Sequence, residues 1–242
     1  MACNTEPDSR YVIAIGAAAL DEYYTADTWP SEGGKAMVDY KEDMIGGMIP
    51  NAACVFAGYG VHTYLVDTLK NNSKKTDMIV SDLKAHGVKT GLLRYQDDIP
   101  DARTIIILTH RERTILVVEP HKPLLDIKAC ELDIFRKASY IYTTPVELKN
   151  IRNYMEFVDD MKNHHVKLAF DIEASTVDAC DKELIYKGDV LFFNEFGFEK
   201  IKGNRGEEEA FSEMFENGVE IATITLGEKG SFTATKNETF RT

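Results

Sequence analysis

Short, almost entirely apolar runs alternate with segments of helical periodicity along most of this sequence. Each run is too short for a helix and too continuous for a strand with one face in water, which is typical of buried parallel strands. Such runs occur at residues 11–16, 62–67, 139–143, 166–171, 189–194 and 219–225. Helical patterns lie between them, as at 145–163 and 206–218. The alternation predicts an α/β fold in which helices flank both faces of a central, mostly parallel sheet.

Two stretches break this alternation and predict a small antiparallel sheet. Residues 23–45 contain the turn-forming sequence Trp-Pro-Ser-Glu-Gly-Gly, followed by a short apolar segment. Residues 103–118 contain two apolar strands separated by His-Arg-Glu-Arg, which is the pattern of a β-hairpin. Because the sequence has no repeat, low-complexity tract or long linker, we expect both stretches to form a lid on a single domain spanning residues 1–242.

Composition and charge exclude several classes of protein and partner. The chain has 28 basic and 40 acidic residues, a net charge of −12, which disfavours nucleic acid because phosphate neutralisation needs a basic face. No run approaches the roughly 20 apolar residues of a membrane helix, and the N-terminus lacks the pattern of a signal peptide. Four scattered cysteines without a Cys-x-x-Cys pair predict free, mostly buried thiols and a cytoplasmic protein.

Polar and small residues follow the first predicted strands, where ligands of open α/β sheets bind. Asp21 stands in a small-residue loop, where it could accept hydrogen bonds from vicinal hydroxyls or simply face solvent. Gly46 and Gly47 precede a helix with Pro50 in its first turn and Asn51 beside it. This segment could bind a polyol or only pack a helix on the sheet. It fits neither the dinucleotide fingerprint nor the phosphate-binding P-loop.

Two further segments follow later strands. Asn194 and Glu195 could orient a phosphate or a metal-bound water, or Asn194 could cap the next helix. The sequence Thr-Leu-Gly-Glu-Lys-Gly at 225–230 could lie under a phosphate or nucleobase, or turn between two strands, since 231–235 also resembles a strand. No Gly-x-Ser-x-Gly elbow is present, and the histidines lack metal-ligand spacing.

Taken in order, these segments resemble the ribokinase-like (PfkB) family of sugar and nucleoside kinases over the whole chain. The resemblance implies ATP-dependent transfer of a phosphoryl group to a hydroxymethyl group of a sugar or nucleoside, with Mg²⁺ bridging the phosphates. The lid stretches fall where the family carries its β-sheet lid, and we expect a homodimer through it. The residues that would hold substrate hydroxyls are Asp21, Gly46, Gly47 and Asn51. Those along the nucleotide and its phosphates are Asn194, Thr225, Gly227 and Gly230.

The sequence departs from the family's pattern at four places. Gly197 replaces the glutamate that helps organise Mg²⁺, which leaves Glu195 or Glu199 as the nearest candidates. The family's glycine between Gly47 and Asn51 is absent, and the strand at His62 leads to Val-Asp-Thr instead of a glycine-and-aspartate loop. The Gly-Ala-Gly-Asp segment that supplies the anion hole and catalytic base would lie beyond residue 242, so the domain is incomplete at its C-terminus by this comparison.

Three interpretations follow from the resemblance and its departures. The first is a sugar or nucleoside kinase with no catalytic base among these residues, so that the 242-residue chain alone is expected to be inactive. The second is a non-catalytic sugar- or nucleoside-binding protein, or pseudokinase, of the same fold. A Rossmann oxidoreductase is the third, and the absence of its glycine fingerprint disfavours it.

Overall fold

The computed structural model describes residues 10–110, 112–118 and 121–242. Its strands are β1 (Tyr11–Ile15), β2 (Ala19–Thr25), β3 (Asp39–Gly46), β4 (His62–Val66), β5 (Thr68–Lys70), β6 (Arg94–Gln96), β7 (Arg103–Leu108), β8 (Arg113–Val118), β9 (Tyr140–Thr143), β10 (Lys167–Ile172), β11 (Val190–Asn194), β12 (Ile221–Thr225), β13 (Ser231–Thr235) and β14 (Thr239–Arg241). Its helices are α1 (Met48–Gly58), α2 (Lys74–Ala85), α3 (Leu132–Arg136), α4 (Pro145–Lys149), α5 (Tyr154–Asn163), α6 (Ala174–Ala179), α7 (Lys182–Ile185), α8 (Glu195–Lys202) and α9 (Glu207–Glu216). Among the described residues, none of these helices has the length and apolar character needed to cross a bilayer.

The chain divides into two compact units. The first consists of the segment ending at Ile15 together with Leu124–Thr242, and the second is Gly16–Pro123. Both lid stretches predicted from the sequence lie in the second unit.

The first unit is built on the mostly parallel sheet. Its strands lie in the order β14-β13-β12-β11-β10-β9-β1. From β1 to β12 neighbouring strands are parallel, whereas β13 and β14 are antiparallel additions at one end. Phe193 of β11 packs edge to face on Phe198 of α8 at 5.9 Å between ring centroids, and Phe198 stacks on Phe211 of α9 at 5.1 Å. The predicted α/β fold with a mostly parallel sheet is confirmed.

The second unit contains the lid as a separate sheet of order β3-β2-β7-β8. The prediction of a separate lid sheet from 23–45 and 103–118 is confirmed, and its β2–β3 and β7–β8 pairs are antiparallel as predicted, whereas β2 and β7 pair in parallel. The connection from β2 to β7 runs through α1, β4 and α2, and parallel strands need a long connection of this kind. A sequence pattern does not reveal whether two distant strands pair parallel or antiparallel. The lid begins at Ala19, so Asp21 lies in a strand and not in the predicted loop. Arg111, in the predicted hairpin turn, lies outside the described residues.

The single helix predicted over 145–163 is two helices, α4 and α5. Between them, Leu125 and Ile151 form an isolated β-bridge, in which the Arg152 N–H donates to the Leu125 carbonyl at 2.9 Å. Asn153 then adopts a left-handed conformation with φ of 55°. Ile151 is buried, so it satisfies the helical periodicity of the sequence without being helical.

The described cysteines are free, as predicted, but they are not mostly buried. Cys180 is buried, Cys54 is half-buried and Cys130 is exposed. Burial raises the pKa of the Cys54 and Cys180 thiols, which disfavours the reactive thiolate. Cys3 lies outside the described residues.

Candidate functional site

Asp21 lies in the middle of the lid sheet. Because Gly46 has no side chain, it leaves the space that the Asp21 side chain fills. Asp21 pairs with Met44 on one side and Thr104 on the other. A Cβ atom placed on Gly46 would overlap the Asp21 carboxylate. Burial raises the pKa of the Asp21 carboxyl, and the hydrogen bond from the Thr104 hydroxyl opposes this. The result is a partly desolvated carboxylate beside a bare backbone, which suits hydroxyl donors.

Gly47 starts helix α1 in a conformation that only glycine adopts readily. Its φ is 109° and its ψ is 133°, and a Cβ placed on it would overlap the carbonyl oxygen of Ala17. Pro50 is buried in the first turn of the helix, as the sequence predicted, and the Asn51 N–H donates to the Gly47 carbonyl at 3.1 Å. The glycine pair therefore fixes the entry to α1 and leaves room for Asp21.

Asn51 lies on a cleft between β3, α1 and α2. The cleft has a volume of about 940 Å³, and its lining includes Leu20, Asp43, Asn51, Met78 and Asp82 but not Asp21. Leu20 and Asp21 are adjacent in β2, so their side chains point to opposite faces of the sheet. The structure thus brings Asp21, Gly46 and Gly47 together and places the Asn51 side chain on the cleft.

Asn194 and Thr225 end two neighbouring parallel strands of the first unit. They are register partners across β11 and β12. The Asn194 side chain caps α8, because its Oδ1 accepts a hydrogen bond from the Gly197 N–H at 2.7 Å. The Thr225 hydroxyl donates to the Phe193 carbonyl at 3.2 Å. The structure therefore shows Asn194 as a helix cap, which is one of the two roles that the sequence allowed.

The two glycines after Thr225 lie in a turn between antiparallel strands, which is the second alternative raised by the sequence. Gly227 begins the short 3₁₀ turn with φ of 59°, and a Cβ placed on it would meet no atom within 4 Å. Gly230 has φ of 84° and packs against the backbone of Thr242. The backbone at Gly227 is open to a ligand, whereas that at Gly230 lies against the backbone of Thr242.

The described residues do not fit a protein-held Mg²⁺ ion. A Cβ placed on Gly197 would lie 2.5 Å from the Ile172 carbonyl oxygen, so this position has no room for a metal-binding side chain. Glu199 pairs with Lys202 at 2.7 Å, and Glu195 is exposed in the first turn of α8. No group of three or more His, Cys, Asp or Glu side chains in the described part of the chain could hold a metal.

Replacing Gly197 with alanine is expected to lower the free energy of unfolding by about 2 kcal/mol, because the added methyl group meets a backbone carbonyl that cannot move freely. Urea unfolding measures the change. Gly91→Ala is the control, since a Cβ there meets no atom within 4 Å. A Gly197→Ala protein as stable as the control would contradict the packing described.

Thr104 is the residue of this site that the sequence did not indicate. It is nearly buried in β7 and contacts Asp21 through the parallel pairing with β2. From the sequence, Thr104 could be placed only within the predicted hairpin, with no indication of a role in the site. The register of two distant strands carries no local pattern, so the contact could not be predicted.

Comparisons with known proteins agree with this architecture. The family model described as pfkB family carbohydrate kinase matches residues 9–242. The search of curated proteins gives no match.

Several solved structures share the fold. Arabidopsis thaliana ribokinase, complexed with ribose and ATP, is 20% identical with a TM-score of 0.79, over 97% of this chain and 78% of that one. Thermotoga maritima ribokinase is 17% identical with a TM-score of 0.79, over 96% and 77%. Sinorhizobium meliloti adenosine kinase is 18% identical with a TM-score of 0.76, over 97% and 80%. With its parallel sheet, separate lid and matching family model, this chain belongs to the pfkB family of carbohydrate kinases and has a ribokinase-like fold.

Proposed function

We propose that the protein transfers the γ-phosphoryl group of ATP to a hydroxymethyl group of a sugar or nucleoside. The bond between the γ-phosphorus and the bridging oxygen breaks to release ADP, a bond forms to the acceptor oxygen, and the hydroxyl proton passes to solvent. Family membership supports this reaction class. The observation that carries the proposal is the Asp21 carboxylate seated against the backbone of Gly46.

The acceptor would bind through its hydroxyl groups. The two oxygens of an ionised carboxylate accept hydrogen bonds from vicinal hydroxyls, and bonds to a charged acceptor are stronger than neutral ones. Gly46 and Gly47 would let a sugar ring approach the backbone beside Asp21. Asn51 would add an amide for a ligand that also reaches the cleft on which Asn51 lies. Ribose is bound in the Arabidopsis ribokinase structure, and adenosine is the substrate class that the name of the Sinorhizobium enzyme gives.

The nucleotide would bind in the first unit at the carboxyl ends of β11 and β12. Asn194 and Thr225 are neighbours there, and the open backbone at Gly227 can approach a phosphate or base closely. Gly230 would shape the same turn. Backbone amides carry no net charge, so such a site suits an acidic chain. The chemistry of phosphoryl transfer depends mostly on positioning and charge stabilisation.

A second candidate is a non-catalytic protein that binds a sugar or nucleoside. The enclosed position of Gly197 favours it, because the carboxylate that the resemblance implies for organising Mg²⁺ cannot be accommodated there. Such a protein would bind the sugar or nucleoside at Asp21 but would not transfer a phosphoryl group to it.

One assay separates the two candidates. The full-length protein is incubated with ATP, Mg²⁺ and either ribose or adenosine, and acceptor phosphate and ADP are quantified by mass spectrometry. The kinase predicts one ADP for each phosphorylated acceptor where the expressed protein includes a catalytic base beyond residue 242, and no product from residues 1–242 alone. The binding protein predicts a higher melting temperature with the acceptor, since ligands that bind the native state stabilise it, but no product. If neither acceptor is phosphorylated or raises the melting temperature, both proposals fail for these acceptors.

We also propose a homodimer through the lid. Strand β8 is an edge of the lid sheet, and its residues Ile115, Leu116 and Val117 are exposed, Val117 by 70%. An exposed apolar edge strand pairs readily with another strand.

Replacing Val117 with lysine is expected to convert the dimer to a monomer, because the charge would be buried in the interface. Light scattering after gel filtration measures the mass. The control is Val146→Lys, at an exposed position of the first unit. A wild-type protein that is monomeric at all concentrations would contradict the lid dimer.

A further inference from the structure

One buried aspartate, through its carboxylate and its main-chain carbonyl, joins four segments of the second unit. Asp67 directly follows β4 and is only 8% exposed. Its Oδ1 accepts hydrogen bonds from the Thr68 N–H at 2.7 Å and the Lys122 ammonium at 2.6 Å, and its Oδ2 accepts from the Ala18 N–H at 2.9 Å. Its carbonyl oxygen accepts from the Arg94 N–H at 2.8 Å.

The Asp67–Lys122 pair is a buried ion pair whose partners depend on each other. The Lys122 side chain is 18% exposed and that of Asp67 is 6% exposed. Burial raises the pKa of the Asp67 carboxyl, while Lys122 and the two amides act in the opposite direction. Removing Lys122 leaves the buried Asp67 carboxylate without its cationic partner. Asp67 lies in the loop after His62–Val66, where this sequence departs from the glycine-and-aspartate pattern.

The same contacts hold the entry to β2. The Gly16 N–H donates to the Val66 carbonyl at 3.2 Å, the Ala17 carbonyl lies against Gly47, and the Ala18 N–H donates to Asp67. Asp21 follows three residues later in β2. Lys122 lies just after β8, the strand at the edge of the same lid sheet. Asp67 is therefore bonded to the segment that leads into the lid and to the one that leaves it.

We propose that Asp67 and Lys122 are positioning residues for Asp21. By fixing Ala18, the pair sets where β2 begins and so holds the Asp21 carboxylate against Gly46. The pair acts through the backbone and does not bind the acceptor. This inference rests on the proposed function, because it assigns the pair to the acceptor site.

Hydrogen exchange tests the positioning directly, without a ligand. In Lys122→Met, peptides covering residues 16–22 are expected to exchange at least about 10-fold faster than in the wild type, while those covering 154–172 are unchanged. Asp67→Asn is the second variant. The matched control is Lys70→Met, which removes a partly buried ammonium group that donates to the Ile99 carbonyl at 3.1 Å. Unchanged exchange at 16–22, or an equal rise throughout the chain, would overturn the proposal.

Calorimetric titration with ribose and adenosine tests the link to Asp21. Lys122→Met is expected to raise Kd about 10-fold, and Lys122→Arg, which keeps the charge, by less than about twofold. In an Asp21→Asn background, Lys122→Met should add less than about twofold, because both changes act on the same carboxylate. A merely stabilising pair would leave Kd unchanged in the folded protein, and that result would overturn the proposal. If the wild type binds neither probe, the proposed function fails, and the exchange measurement alone decides whether the pair orders the entry to β2.

Discussion

Replacing Asp21 with alanine is expected to abolish stabilisation by an acceptor while changing the free energy of unfolding by less than about 1 kcal/mol. The partly buried carboxylate has a raised pKa, so its ionised form carries a desolvation cost that alanine removes. Two hydrogen bonds from hydroxyls to a charged acceptor contribute about 1.5–3 kcal/mol each, so losing both weakens binding at least about 100-fold. Thermal shift with ribose and adenosine measures the loss.

Two further variants show whether the loss is specific. Asp39→Ala removes an exposed carboxylate from β3 of the same sheet and should leave the thermal shift unchanged. Gly46→Ala should reproduce the loss, because its methyl group would displace the Asp21 carboxylate. An Asp21→Ala protein with a full thermal shift would show that the acceptor binds elsewhere.

Replacing Gly47 with alanine is expected to cost at least about 3 kcal/mol of stability. A φ of 109° is strained for any residue with a Cβ, at about 1–3 kcal/mol. The methyl group would also overlap the Ala17 carbonyl, whose neighbours Gly16 and Ala18 are both hydrogen-bonded in place. The midpoint of urea unfolding, at unchanged slope, measures the cost.

Gly58→Ala is the matched control for Gly47→Ala. Gly58 ends the same helix, and a Cβ there meets no atom within 4 Å. Alanine should stabilise the protein at this position by up to about 1 kcal/mol, since it is the better helix former. Equal stability of the Gly47→Ala and wild-type proteins would contradict the account of how α1 begins.

The strands of the parallel sheet were predictable because burial on both faces leaves a local signature. The run at 189–194 corresponds to β11 and the run at 166–171 to β10, within a residue. The helix at 145–163 was not predictable as two, because Ile151 is buried in a bridge to Leu125 and still fits the helical period. Local periodicity indicates which side chains are buried, but not whether they are buried in a helix or in a β-bridge.

The site was predictable to the extent that its residues are marked by local chemistry. The Gly46–Gly47 pair and Pro50 indicated a constrained helix start, and the structure shows one. The contacts of Asp21 with Thr104 and of Asp67 with Lys122 depend on the pairing of distant segments, which no local pattern encodes. These long-range contacts give the Asp21 carboxylate its position.

The most direct test of the acceptor site compares ligands that differ only in their hydroxyl groups. Adenosine and 2′,3′-dideoxyadenosine, and ribose and 2-deoxyribose, are titrated calorimetrically into the wild type and Asp21→Ala. The wild type is predicted to bind the hydroxylated member of at least one pair at least about 100-fold more tightly, and Asp21→Ala to bind both members of that pair equally weakly. Equal affinity of the wild type for both members of each pair, or a preference that survives in Asp21→Ala, would contradict the assignment of Asp21 to the acceptor hydroxyls.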